Sequence, residues 1–329
     1  MRRLSAWAVV LAIAAAALEA HADERSVLHL AGVVALPDVW GRIDHIAADV
    51  RAHRLFVAAL GNGSLEVVDL RAARVSHRIL GLSEPSGVAF AADQNRIVLA
   101  QAGDGSVLIY DATSFALIHR VELGSDADNV RYDEGSGRAY VGFGDGGLGV
   151  VDIARGEVIS RVALPAHPES FQLGASRVFV NVPGASAVAV LDRSGTKIVK
   201  SWKLSAAHGN YALALDPLNQ CLYLACRRPP RLVALDSTTG AALASVETGG
   251  DCDDVFYDAV TRRLYLSCGV GTISVVANLG HCSIEKIGEV ATARGARTSL
   301  FVPAWGRLYL AVPASAGRPA ELRIYEPTP

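Results

Sequence analysis

Charge is the first thing this chain lacks. Of its 329 residues only 19% are Asp, Glu, Lys or Arg, the formal net charge is −2, and lysine is scarce beside arginine. No basic field is present to hold nucleic acid, and no polybasic tract to hold an anionic membrane. Cysteine is restricted to five residues in the last third, Cys221, Cys226, Cys252, Cys268 and Cys282, and no two form a CxxC pair. That removes the usual spacing of a structural zinc site and of c-type haem attachment. The odd count leaves at least one thiol unpaired, and the sequence leaves open whether the others form disulfides or pack as small apolar groups. Neither a GxSxG elbow nor a Cys that sequence can pair with a His is present, so serine or cysteine hydrolysis has no motif to stand on. Helical periodicity is missing as well. No stretch beyond the first two dozen residues holds a 3.6-residue period over three turns, which excludes an α/β fold.

The single long apolar run stands at the N-terminus. "MRR" is followed by "LSAWAVVLAIAAAAL" and by "AHA" at Ala20 to Ala22. A short basic start, an apolar run too short to span comfortably and a small-x-small site read as a secretory signal over residues 1–22. The residues around Arg2 and Arg3 do not complete a twin-arginine signal, and no lipid-accepting Cys follows. The expected mature protein is a single domain over 23–329, periplasmic or secreted, with no integral membrane segment after cleavage.

What the chain has is apolar mass, 51% hydrophobic residues, arranged as a repeat. "RLFVAAL" at Arg54 recurs as "RIVLAQA" at Arg96, "RAYVGFG" at Arg138, "RVFVNVP" at Arg177, "CLYLACR" at Cys221, "RLYLSCG" at Arg263 and "RLYLAVP" at Arg307. The steps run from 39 to 44 residues. A short apolar segment precedes each copy, among them "HIAAD", "NVRYD" and "VFYD". Turn residues such as "GNGS", "GDGS" and "GDGG" follow it, as in hairpins. A third apolar strand then closes on Asp in most units, and a more polar fourth segment ends the unit. Four strands in about 42 residues is the blade of a β-propeller. The seventh unit stops after three strands, while "SVLHLAGVVAL" (Ser26 to Leu36) precedes the first. An all-β, seven-bladed propeller of four-stranded antiparallel blades therefore follows, with the N-terminal strand completing the last blade and removing the open edge.

These second strands ("LFVA", "IVLA", "AYVG", "VFVN", "LYLA") resemble the Tyr-Val-Thr-Asn repeats of the exported bacterial YVTN-type, or YncE-like, propellers, with the Thr and Asn mostly replaced. The resemblance covers the mature chain. It implies the fold and an extracytoplasmic location more than any activity.

Propeller ligands gather where the loops entering the inner strands converge on the axis. Aligned on the second strands, these loops read "RIDH" (Arg42 to His45), "EPSG" (Glu84 to Gly87), "DADN" (Asp126 to Asn129), "AHPE" (Ala166 to Glu169), "GNYA" (Gly209 to Ala212), "DCDD" (Asp251 to Asp254) and "GART" (Gly295 to Thr298). Asp and Asn before a strand commonly serve only the turn. The collection of His45, Asp128, Asn129, His167, Glu169, Asn210, Asp253, Asp254 and Arg297 at equivalent places points instead to a binding rim. Crowded carboxylates call for a proton or a cation. A divalent metal suits the rim, Ca²⁺ favoured by the oxygens and Zn²⁺ or Mn²⁺ by the imidazoles, with His45, Glu169 and Asp254 the candidate ligands. Arg297 and the three arginines of "CRRPPR" (Cys226 to Arg231) would attract an anion. Three functions follow: an exported binding protein holding a small molecule, metal or protein partner at the channel face; a metal-assisted lactonase or lyase, for which Glu169, Asn129, Asn210 and Asp254 are of the residue types that propeller lactonases use; and an accessory subunit of a quinone-cofactor dehydrogenase, for which no haem or tryptophan-derived cofactor motif is present.

Overall fold

The computed structural model describes residues 27–328; the expected signal segment lies outside the described residues. Seven four-stranded antiparallel sheets are arranged as blades. Blade 1 comprises Ile46–Asp49, Arg54–Ala59, Ser64–Asp69 and Arg74–Leu80, from the axis outward. Every second strand starts at the first residue of its repeat, from Arg54 to Arg307. These strands are mostly apolar because both of their faces are covered, and their third residue is a buried aromatic in six blades: Phe56, Tyr140, Phe179, Tyr223, Tyr265 and Tyr309. Outer strands alternate or stay exposed, as one-sided strands should.

The core is divided into seven clusters, each shared by two neighbouring blades. No blade buries its faces alone. Blade 7 contains Thr298–Val302, Arg307–Val312 and Ala320–Pro327, and its outer strand is the N-terminal Leu28–Leu36. That strand pairs antiparallel with Ala320–Pro327 from Leu28 opposite Pro327 to Leu36 opposite Ala320, with one register shift near Leu30. Closure of the ring therefore links the two ends of the described chain, as the repeat count requires.

Turn chemistry accounts for the recurrent Asp at the end of third strands. Asp69 accepts the N–H groups of Arg71 and Ala72 at 2.8 and 3.0 Å. Asp111, Asp152 and Asp236 do the same for the residues two and three positions on. These carboxylates hold turns. Asp133 and Asp258, at the far ends of two inner strands, are likewise bound by Ser136, Arg193, Val260 and Thr261. Two hairpins differ from a two-residue turn: Leu60–Asn62 and Pro183–Ala185 each form one turn of 3-10 helix, ending on left-handed Gly63 and Ser186.

The cysteines resolve into two disulfides and one thiol. Cys252–Cys268 joins the inner and second strands of blade 6, and Cys221–Cys282 ties blade 5 to an outer turn of blade 6. They span 16 and 61 residues of sequence. Loops of that size correspond to about 3–4 kcal/mol of stabilisation each in the chain-entropy picture. Cys226 is free, buried, and its thiol is pushed up to about 12 by burial. A thiol-specific disulfide reagent should therefore find no reactive thiol in the native protein, one after unfolding without reductant and all five after reduction. More than one thiol before reduction would contradict the pairing.

Candidate functional site

The seven rim loops prove equivalent in backbone as well as in sequence. Their first residue is left-handed in five blades: Glu84, Asp126, Gly209, Asp251 and Gly295 have φ between 46° and 83°. Gly, Asp and Asn tolerate that conformation best, which explains much of the Asp and Gly at this position without any ligand. The residues that follow continue the inner strand and turn inward. Backbone bonds lock them to the second strands: Asp44 N–H to Ala58 O at 2.8 Å, Asp128 N–H to Gly142 O at 2.9 Å, and Glu169 N–H to Asn181 O at 3.0 Å. Blade 2 contributes almost no side chain here. A Cβ on Gly87 would lie 1.8 Å from the Asp128 carbonyl oxygen, so glycine at this position lets the blade 3 loop approach the axis.

These loops enclose a polar cavity on the axis. Arg42, Asp44, His45, Asp128, Asn129, Glu169, Asp253 and Asp254 line it, with Ser170, Tyr211 and Thr298. Six of the nine residues singled out from sequence thus meet in one place. Asp128 of blade 3 and Asp253 and Asp254 of blade 6 contribute to it from opposite sides of the ring. The remaining three go elsewhere. Asn210 is fully buried and turned into the blade stack, its amide donating to Asn181 Oδ1 and Ala187 O at 2.9 Å each, and Tyr211 takes its place on the cavity wall. His167 stands behind Asp128, its Nδ1 2.6 Å from Gly144 O and its Nε2 4.0 Å from Asp128 Oδ2. Arg297 is occupied by Asp251 and Asp253 at 2.8 and 2.9 Å. Arg227, the first arginine of "CRRPPR", also pairs with those two aspartates and lies 3.6 Å over the Tyr211 ring. The acidic loop of blade 6 is therefore half neutralised, and Arg297 is no free anion receptor.

The innermost group is Asp44, His45 and Asp128, whose ligand atoms all lie within 4.8 Å of one another. Glu169 and Asp254, named from sequence with His45 as metal ligands, line the same cavity without joining this group. Asp44 lies in the aligned rim loop "RIDH" but is not among the nine candidate residues; it is 4% exposed and forms part of the cavity wall. His45 Nε2 lies 2.9 Å from Asn129 Oδ1, an amide oxygen that can only accept, which makes Nε2 the protonated nitrogen. In the neutral ring His45 Nδ1 then presents a lone pair to Asp44 Oδ1 at 3.4 Å and Asp128 Oδ1 at 3.9 Å, and in the imidazolium it turns an N–H toward the same two oxygens. Both His45 Nδ1 and Asp128 Oδ1 are buried without a hydrogen-bond partner. The second oxygen of each carboxylate is supported from behind, Asp44 Oδ2 by Arg42 at 2.9 Å and Asp128 Oδ2 by His167.

Charge in this cavity is strongly perturbed. Burial raises the Asp44 pKa. Burial opposes an imidazolium at His45, but Asp44, Asp128 and Asp254 outweigh it and the pKa rises. Asp128 is also penalised by burial, yet His167, His45 and Arg42 hold it below its ordinary value. His167 is raised to about 9, chiefly by Asp128. Burial pushes Asp254 up to about 6 and, helped by the charges of Asp128 and Asp253, Glu169 up to about 7.

Glu169 gives the cleanest pH test. Its folded pKa lies above its ordinary 4.5, so the folded protein binds that proton more tightly than the unfolded chain. The associated stability is present below 4.5 and is lost as pH rises through about 7. In chelator-treated protein, Glu169→Gln should raise the melting temperature relative to wild type at about pH 8 and leave it nearly unchanged at about pH 4. An equal effect at both values would contradict the buried, ionising carboxylate. Gly87→Ala should cost about 1–3 kcal/mol by driving the Asp128 loop outward, read as a lower denaturation midpoint.

No family model matches this chain, and neither does any curated protein. Among solved structures, one titled "Crystal Structure of Mitotic Checkpoint Complex" contains a chain similar to it at 13% identity and a TM-score of 0.78, covering 99% of this chain and 98% of that one. At that identity the likeness bears on the fold alone, and it agrees with a seven-bladed propeller closed by its N-terminal strand.

Proposed function

We propose that this is an exported propeller binding protein whose axial rim holds one divalent transition-metal ion between Asp44, His45 and Asp128. One observation carries the reading: a buried imidazole lone pair and a buried carboxylate oxygen face each other with Asp44, and neither has a partner. Unpaired buried acceptors aimed at one another repel. Either a proton on His45 Nδ1, which the surrounding acids favour, or a metal cation between them removes the conflict, and we propose that the metal does so. Metal–ligand bonds of about 2.0–2.2 Å put tetrahedral donors roughly 3.4 Å apart. The His45 Nδ1 to Asp44 Oδ1 separation of 3.4 Å accords with that spacing, and Asp128 Oδ1, at 3.9 Å from Nδ1, would draw closer on binding. The supporting contacts from Asn129, Arg42 and His167 are of the kind that orient metal ligands. An imidazole in the donor set favours Zn²⁺ or Mn²⁺ over Ca²⁺, which prefers oxygen alone.

Size decides between an ion and an organic occupant at the rim. The cavity there measures about 20 Å³. That is room for a single water or ion and far short of the several hundred Å³ of a small-molecule pocket. Export is supported by the N-terminal sequence and by the two disulfides, which persist in oxidising compartments. Among the described residues no helix is long and apolar enough to cross a membrane.

Glu169, poised near neutrality in the same cavity, supports a second reading: a metal-assisted lactonase or lyase with Glu169 moving the proton. The small rim volume weighs against it, because a substrate carbonyl would have to reach the ion from the channel side.

Elemental analysis of protein purified from its native compartment should find one transition-metal ion per chain, absent from the Asp44→Asn and Asp128→Asn variants. Adding Zn²⁺ or Mn²⁺ to stripped wild type should raise its melting temperature by a few degrees. Metal-free protein whose melting ignores both ions and chelator would overturn the proposal. Turnover of a lactone panel, lost in Glu169→Gln with the ion retained, would establish the second reading.

A further inference from the structure

Below the rim the axis opens into a second, much larger space. Its volume is about 460 Å³, and the inner strands of every blade except the fifth line it. His45 and Asp254 belong to both spaces and mark the boundary between them. The walls are mixed, with Phe90, Tyr132, Phe256 and Leu300 forming their apolar part and His45, Gln172 and Ser299 among the polar groups. Such a volume and lining are those of a small-molecule site rather than of a packed core.

Three charged side chains interrupt this wall: Arg131, Asp254 and Glu134, the last of them exposed. Arg131 enters it from the inner strand of blade 3, Val130–Asp133. Its guanidinium carries five N–H donors. One is spent on the neighbouring Val130 carbonyl at 2.9 Å, and the Phe171 ring lies 5.6 Å away. No carboxylate pairs with it among the described residues, and burial lowers its pKa. Arg131 is only partly buried, and its remaining donors are open to the cavity, where they can take a partner supplied from outside. Asp254 is the nearest counterweight in effect, the strongest influence opposing burial at Arg131, yet the two do not meet. One Asp254 oxygen accepts the Ser299 N–H at 2.7 Å, and the carboxylate is otherwise held by no ion pair. Opposite charges therefore face one cavity without closing on each other.

We infer that the channel is a binding site for a small zwitterion with an apolar or aromatic body, of the α-amino-acid class, its carboxylate held by Arg131 and its ammonium by Asp254. A purely anionic ligand would leave Asp254 facing its negative charge, and a purely cationic one would leave Arg131 unpaired. The apolar part of the wall takes the side chain, and Tyr132, whose hydroxyl is fixed by Asp93 and Gln94, holds its ring in place there. The site needs no ion at the rim and stands or falls separately from it.

Calorimetric titration of the full protein with L-phenylalanine, 3-phenylpropionate and phenethylamine, each with and without chelator, tests the assignment. Phenylalanine should bind, and each single-charge analogue should bind more weakly by about tenfold or more. Arg131→Gln should weaken phenylalanine and phenylpropionate by a similar factor without lowering the melting temperature, since a partly exposed side chain that makes no ion pair among the described residues is replaced. Arg131→Lys should restore part of the affinity, and Asp254→Asn should weaken phenylalanine and phenethylamine but not phenylpropionate. Absence of binding by all three, or phenylalanine affinity unchanged in Arg131→Gln, would overturn the site. Equal affinity for phenylalanine and phenylpropionate would overturn its zwitterion selectivity. Loss of binding only under chelation would overturn its independence from the rim.

Discussion

Each blade of this protein is a sheet with two apolar faces, and neither can be covered from within. Burial is achieved only by stacking blade on blade, which gives seven clusters at seven interfaces. The stack must then return on itself, and the strand Leu28–Leu36 on Ala320–Pro327 is where it does. Everything at the axis depends on that closure. It brings loops separated by more than a hundred residues, Arg42 to His45 and Asp251 to Asp254, to one cavity, and it fixes them on the inner ends of paired strands instead of on free loops.

Fixing the loops has an electrostatic consequence. Acidic side chains that would repel freely in a mobile loop are held together and partly dried. The molecule answers in two ways. In blades 5 to 7, Arg227 and Arg297 neutralise Asp251 and Asp253. In blades 1 and 3, Arg42 and His167 reach only the outer oxygens of Asp44 and Asp128, and the inner oxygens turn toward His45. The first arrangement is self-contained. The second is incomplete, and it is the incomplete one on which the proposed metal site rests.

Strand positions were legible in the sequence because turn residues bracket each repeat and the buried second strands are mostly apolar. Closure was legible from a count, three strands at one end and one spare at the other. The rim was legible in position but not in detail. Loop alignment gathers residues at the same height on the ring, and it does not say which way each side chain turns. Asn210 went into the blade stack because the strand continues through a register shift between it and Ala212. Arg297 was read as a receptor for anions, but two aspartates of the neighbouring blade satisfy it. Asp44 lies in the aligned rim, and only the fold shows that its side chain turns into the cavity. Arg131 lies past the rim, inside "NVRYD". The signal for it was present, since it is the one cationic residue among the inner-strand segments, and attention to the loops alone passed over it.

The central claim is that the conflict at His45 is resolved by a metal ion. The most direct measurement is anomalous diffraction from crystals of the protein grown with Mn²⁺ or Zn²⁺, recorded on both sides of the metal absorption edge. An edge-dependent peak bonded to His45 Nδ1, Asp44 Oδ1 and Asp128 Oδ1, at about 2.0–2.2 Å from each, is the predicted result. Crystals that show no anomalous peak there, with His45 Nδ1 protonated and hydrogen-bonded to Asp44, would contradict it.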